Sequence, residues 1–329
     1  MSTARLVLPV LALACLGLAA PAPAQPREAR VGATQVRLPG AVHERHRVRI
    51  EGLRDNGQAA LDRPLGQGWA LAGFGLRFAN GDHKLRRIGV LGEGRFARFA
   101  LADRNGDDPF NAEVVFTALP GIRVQQVSAE GGGKFEIPLP GKAPPNSTLV
   151  LSGFEFRRSD GSDANLRSIG IWTVPGRRVI QVSLIDDQGV DFRQVLPSLG
   201  PAAAAAALGL PGALESGSVA AGFRAVNSPV NGRYDVYRSY KVAVQYAWVP
   251  NSRIQAQGAL SGTRGSRAAP PRERIDALQG FEFTFTNSDH HLLELALNPD
   301  GSGSASFRDN NLDDPMQWSA TYVSLRPEP

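Results

Sequence analysis

Leu278-Gln279-Gly280-Phe281-Glu282-Phe283 begins a series of parts that runs to the end of the chain. It is followed by Asn287-Ser288-Asp289-His290-His291-Leu292, by Asp309-Asn310-Asn311-Leu312-Asp313-Asp314-Pro315, and by an alternating run ending in Tyr322-Val323-Ser324-Leu325. The same order occurs much earlier. Leu71-Ala72-Gly73-Phe74 leads to Asn80-Gly81-Asp82-His83-Lys84-Leu85, then to Asp103-Arg104-Asn105-Gly106-Asp107-Asp108-Pro109, then to Val114-Val115-Phe116-Thr117-Ala118-Leu119. A looser copy lies between, from Leu151-Ser152-Gly153-Phe154-Glu155-Phe156 to the run Tyr240–Pro250.

In Phe74, Leu76 and Phe78 the apolar residues fall on alternate positions, the period of a strand with one buried face. Asn80-Gly81-Asp82 is turn chemistry, so Leu85 to Val90 reads as a strand returning against Phe74–Phe78 in a hairpin. Arg95 to Leu101 and Phe110 to Leu119 alternate as well. Aligned on their ends, Phe110, Tyr240 and Met316 coincide, as do Val114, Val244 and Ala320, and Phe116, Tyr246 and Tyr322. All share one parity, so each triplet occupies one face of its strand. Helical periodicity is almost absent and turn residues are frequent. The expected fold is all-β: repeated antiparallel β-sandwich modules, jelly-roll-like or Ig-like, with a loop insertion in the middle copy.

The expected organisation is a signal peptide at 1–24, an N-terminal strand segment at 25–64, a first module at 65–120 and a connector at 121–148. A second module follows at 149–250, with its insertion at about 197–235; then come a linker at 251–274 and a third module at 275–329. The insertion contains six alanines, Ala202 to Ala207, bounded by Pro201 and Leu208-Gly209-Leu210-Pro211, which leaves room for a turn or two of helix. Within the N-terminal segment His43-Glu44-Arg45-His46 reads as a surface loop. Four or five strands per module are few for an independent core, so modules are expected to pack together or to borrow strands.

Arg5 is the only charge before the apolar run Leu6–Ala20. That run is too short to cross a bilayer, which takes roughly 20 residues. Ala22 and Ala24 supply the small residues a signal peptidase reads, so secretion with cleavage after Ala24 is expected. Cys15 is the only cysteine, which leaves the mature chain without disulfides or thiolate metal sites. The formal charge of +5 is modest, and its arginines are interspersed with acids, which points away from nucleic acid. No later segment is apolar enough to span a membrane, and the expected location is the periplasm or outside the cell.

Two constellations carry possible chemistry. The acidic loops place oxygen ligands at alternate positions: Asp103, Asn105, Asp107 and Asp108, and again Asp309, Asn311, Asp313 and Asp314. Such a loop suits calcium, although Gly is missing at the sixth position of an EF-hand pattern and Glu at the twelfth. The competing reading, preferred here, is a turn whose Asp and Asn side chains cap backbone N–H groups. The second constellation is Asp82-His83 and Asp289-His290-His291 at corresponding turns, read as structural with a possible ligand contact. Adjacent histidines on a strand point to opposite faces and do not readily share one metal.

No G-x-S-x-G, H-E-x-x-H, P-loop or dinucleotide fingerprint is present. The expectation is an exported non-catalytic binding or structural protein, with polysaccharide or envelope proteins as partners. Its alternatives are a calcium-dependent carbohydrate-binding or adhesion protein, and an envelope-polysaccharide hydrolase with a carboxylate pair. Trp69, Trp172, Trp248 and Trp318 could offer stacking faces to sugar rings, with core packing the default for Trp248 and Trp318.

Overall fold

Many of the described strands alternate between buried and exposed positions along much of their length, and the fold follows from where their apolar faces meet. The computed structural model describes residues 31–33, 43–54, 56–61, 64–81, 84–103, 108–159, 161, 166–186, 190–191, 223–225, 235–263, 274–285, 292–299, 303–308 and 316–327. The strands begin with β1 (Val31–Ala33), β2 (Arg45–Arg54), β3 (Asn56–Ala60), β4 (Trp69–Phe78), β5 (Arg87–Glu93), β6 (Phe96–Ala102) and β7 (Pro109–Ala118). They continue with β8 (Val124–Gly131), β9 (Gly133–Pro138), β10 (Ser147–Arg158), β11 (Leu166–Thr173), β12 (Val179–Asp186), β13 (Val190–Asp191), β14 (Phe223–Ala225) and β15 (Asp235–Arg238). The last are β16 (Tyr240–Pro250), β17 (Ile254–Thr263), β18 (Ala277–Phe285), β19 (Glu294–Leu297), β20 (Ala305–Arg308) and β21 (Met316–Leu325). The protein is all-β, built from antiparallel sheets.

Three sheets have six strands each, in the orders β1-β2-β7-β4-β19-β20, β3-β6-β5-β10-β16-β8 and β17-β21-β18-β11-β12-β9. Each is centred on a Gly-Phe strand paired with a terminal strand: β4 with β7, β10 with β16, β18 with β21. The registers correspond. Phe74 faces Val114, Phe154 faces Val244 and Phe281 faces Ala320. Each pair carries an irregularity at the same point, just before Gly73, Gly153 and Gly280.

The expected hairpin of Phe74–Phe78 with Leu85–Val90 does not form. β4 and β5 lie in different sheets: β5 pairs with β6 and with β10, while the other side of β4 takes β19. The chain therefore passes from one sheet to the next between β4 and β5. The hairpin β5–β6 extends the second sheet, β11–β12 the third and β19–β20 the first, so the exchange closes in a ring. Each Gly-Phe strand needs a partner on both sides, and the neighbouring hairpin supplies it.

Most of the buried apolar residues meet in one cluster drawn from all three sheets, and a second, smaller cluster includes Ala70, Val150, Ala277 and Val323. At the centre of the larger cluster Phe74, Phe154 and Phe281 form a triangle, with ring centroids 5.0, 5.1 and 5.1 Å apart. These are spacings at which tilted and edge-on aromatic pairs attract. All three are fully buried.

Two further stretches differ from expectation. His43, Arg45 and His46 are buried rather than in a surface loop. The His43 ring Nε2 hydrogen bonds the Arg326 carbonyl at 2.6 Å, and Arg45 contacts Asp276 and the Ile275 carbonyl. Within 251–274, read from composition as a linker, β17 is a ten-residue edge strand along β21. Around the expected insertion, β13, β15 and β14 make a small three-stranded sheet; the six alanines lie outside the described residues.

Candidate functional site

The irregularity before each Gly-Phe pair creates a corresponding place in each sheet where a side chain on the terminal strand and the end of the neighbouring hairpin converge on a glycine. Two of the three places are filled. In the first sheet Gly73 faces Val115, which is buried, and the Asn298 backbone presses against it; the Asn298 amide donates to the Ala72 carbonyl at 2.9 Å. In the second, Gly153 faces Gln245, whose amide donates to the Gly92 carbonyl and accepts from the Gly92 N–H, both at 2.9 Å. The Trp69 indole packs under Gly92 and donates to the Ser152 carbonyl at 3.1 Å.

In the third sheet the residue facing Gly280 is Thr321, short and exposed, and the hairpin residue beside Gly280 is Trp172. A cavity of about 600 Å³ opens there, lined by Trp172, Thr173 and Pro175 and by outward residues of β17, β18 and β21. A second, of about 560 Å³, adjoins it and shares Glu282 and Ser319. Trp172 lines the first cavity and Trp318 borders the second, where it is buried; Trp69 is buried as well and Trp248 packs on the core.

The Trp172 ring is held from two sides. A Cβ on Gly280 would lie 2.2 Å from the Cβ of Trp172, so only glycine lets the residue sit so close. Its indole N–H donates to Gln181 Oε1, the Gln181 amide donates to Glu136 at 3.0 Å, and Glu136 takes a bidentate bond from Arg177 at 2.9 and 2.8 Å. Gln181 first, and then Arg177, hold the Glu136 carboxyl below its ordinary value. Glu136 thus keeps its charge to a lower pH than an unperturbed carboxylate would, and its protonation below that point weakens this support for the ring.

The outward faces of the sheets differ in chemistry. The first carries the ion pairs Arg47–Glu113 and Arg308–Glu294, and the second a bidentate Arg87–Glu155 pair at 3.0 and 2.9 Å. The middle of the third carries hydroxyls and amides: Ser261, Thr263, Thr284, Gln317, Ser319 and Thr321. Its one central carboxylate, Glu282, is near Lys134 at 3.6 Å and accepts from Ser168 at 3.4 Å.

Of the residues singled out in the sequence, Asp103 is buried and Asp108 accepts a 2.9 Å hydrogen bond from the Asn80 side-chain amide. Beside it the Ala79 N–H donates to the Pro109 carbonyl at 2.8 Å. Asn105, Asp107, Asp309, Asn311, Asp313, Asp314, Asp82, His83, Asp289, His290 and His291 lie outside the described residues. Among the described residues, no group of three or more His, Cys, Asp or Glu side chains is placed to hold a metal. The cleft was missed in the sequence; the one signal that could have located it is the alternation Gln317-Ser319-Thr321, which alone reads as any solvated strand face.

Compared with known proteins, the chain matches no family model and no curated protein.

Proposed function

We propose that this chain is an exported, non-catalytic carbohydrate-binding protein whose ligand lies on the outward face of the third sheet. The observation that carries the reading is the open cleft over Gly280, with an oriented, half-exposed indole at one side and a floor of hydroxyls and amides. A sugar ring offers a C–H face that packs on an indole and a rim of hydroxyls that both donate and accept. Ser, Thr and Gln side chains match that rim without demanding charge. Export is supported by Arg5, the apolar run Leu6–Ala20 and the small residues before Gln25.

Binding is favoured over hydrolysis because a glycosidase needs two carboxyl groups flanking the scissile bond. Among the described residues lining the cleft, Glu282 is the single acid.

The test is Trp172→Ala, compared with the native chain on an array of neutral glycans and then by calorimetry with whichever glycan binds. The expected loss is at least about tenfold in affinity, or about 1.4 kcal/mol, with the cooperative unfolding transition retained. Unchanged affinity in a folded variant would remove the cleft from the binding site.

A further inference from the structure

The two adjoining cavities are one groove, and its length says what form of ligand it takes. On the outward face of the third sheet, side chains are arranged in rows across the strands. One row joins Ala259, Thr321, Gly280, Trp172 and Gln181. The next joins Ser261, Ser319, Glu282 and Gly170, and the third Thr263, Gln317, Thr284 and Ser168. Rows two residues apart on one strand lie about 6.6 Å from each other, so the span from Thr321 to Gln317 is about 13 Å. The first cavity covers the first two rows and the second covers the last two. Ser319 and Glu282, which line both cavities, sit at the junction.

We propose, resting on the carbohydrate reading above, that this groove takes an internal stretch of an unbranched, neutral polysaccharide running along β21, rather than a single terminal sugar. Three observations carry this. The groove continues past the first cavity instead of ending in a wall. Its polar groups recur in every row, so successive sugar units meet similar donors and acceptors. Its central carboxylate, Glu282, is balanced by Lys134 at 3.6 Å, so it can accept hydrogen bonds from the hydroxyls of a neutral chain while the groove centre carries no net positive charge to hold the carboxylates of a uronic-acid chain. A branch at the junction would meet Ser261 or Glu282 on either side.

The experiment uses the mature chain and a size series of the neutral oligosaccharide type that binds on the array, from one to six units, with oligogalacturonides as the charged counterpart. Affinity should rise at least about tenfold from the monosaccharide to the length that fills the groove and then level off. Oligogalacturonides should bind at least about tenfold more weakly than neutral chains. Ser319→Trp places a bulky residue at an exposed strand position that tolerates it, and should abolish the gain in affinity with length. Equal affinity for one unit and six, or an unaltered length dependence in a folded Ser319→Trp variant, would overturn the extended-chain inference and leave carbohydrate binding standing. Equal affinity for charged and neutral chains would overturn the neutral selection. No binding to any glycan would overturn the carbohydrate reading itself, and this inference with it.

Discussion

Phe154→Ala should cost the folded chain about 3–5 kcal/mol, the range for truncating a buried aromatic side chain. Phe154 has no exposed surface and touches Phe74 and Phe281 at ring distances of 5.0 and 5.1 Å. Each of the three rings belongs to a different sheet, so removing one leaves a void where the three meet. The void cannot close by a local shift, because strands on both sides hold each Gly-Phe strand in register. Phe74→Ala and Phe281→Ala should fall in the same range. The double variant of any two should cost less than the sum, because the second truncation enlarges a cavity whose contacts are already partly lost. Phe96, 43 % exposed, is the control, and Phe96→Ala should stay within about 0.5 kcal/mol. Denaturant unfolding is the measurement. A Phe154→Ala variant no weaker than Phe96→Ala would mean that the sheets are held elsewhere. The native chain should also unfold in one transition, since no sheet is complete without a hairpin from another part of the chain.

Much of this frame is legible in the sequence. Alternation located β4, β7, β10, β16, β18 and β21, and the shared parity of Phe110, Tyr240 and Met316 anticipated the common register of the terminal strands. What the sequence does not carry is the address of a strand. Ile88, Val90 and their neighbours alternate identically whether β5 folds back on β4 or crosses to β10, and Asn80-Gly81-Asp82 suits a tight hairpin as well as a crossover. The ring of exchanged hairpins was hidden for that reason. The cleft was hidden for a different one. Its opening depends on Thr321 being short where Gln245 reaches across to Gly92, and on Trp172 lying where Leu91 and Asn298 lie in the other sheets. Those comparisons need pairing partners far apart in sequence. His43 to His46 failed for a third reason: charged and imidazole side chains read as surface until the groups that satisfy them, Asp276 and the Arg326 carbonyl, are known to lie opposite.

Asp276→Ala should be as damaging as the loss of a central ring, by about 3–5 kcal/mol, through electrostatics instead of packing. Asp276 is 1 % exposed and accepts from Arg45 at 3.2 Å, from Arg274 at 2.7 Å and from the Leu325 N–H at 2.9 Å. It therefore ties β2, in the first sheet, to β21, in the third, across the point where the ring of sheets closes. Burial pulls the Arg45 guanidinium below its ordinary value, and Asp276 opposes that shift. Without the carboxylate, a buried cation faces no counter-charge and a buried N–H loses its acceptor. Asp276→Asn should cost less than Asp276→Ala, because the amide oxygen still accepts from Leu325 while the charge is gone. The pair Arg45→Met with Asp276→Leu separates the two contributions. Removing both charges for apolar groups of similar size should recover most of the electrostatic loss, leaving about 1–3 kcal/mol for the unpaired Leu325 N–H, while Arg274, its side chain 26 % exposed, exchanges its Asp276 partner for water. If the double variant is as unstable as Asp276→Ala, the hydrogen bond to Leu325 and not the ion pair is what closes the ring. If Asp276→Ala itself unfolds within about 1 kcal/mol of the native chain, neither does, and the closure rests on apolar packing, in the aromatic centre and in the smaller cluster of Ala277, Val323 and Leu325.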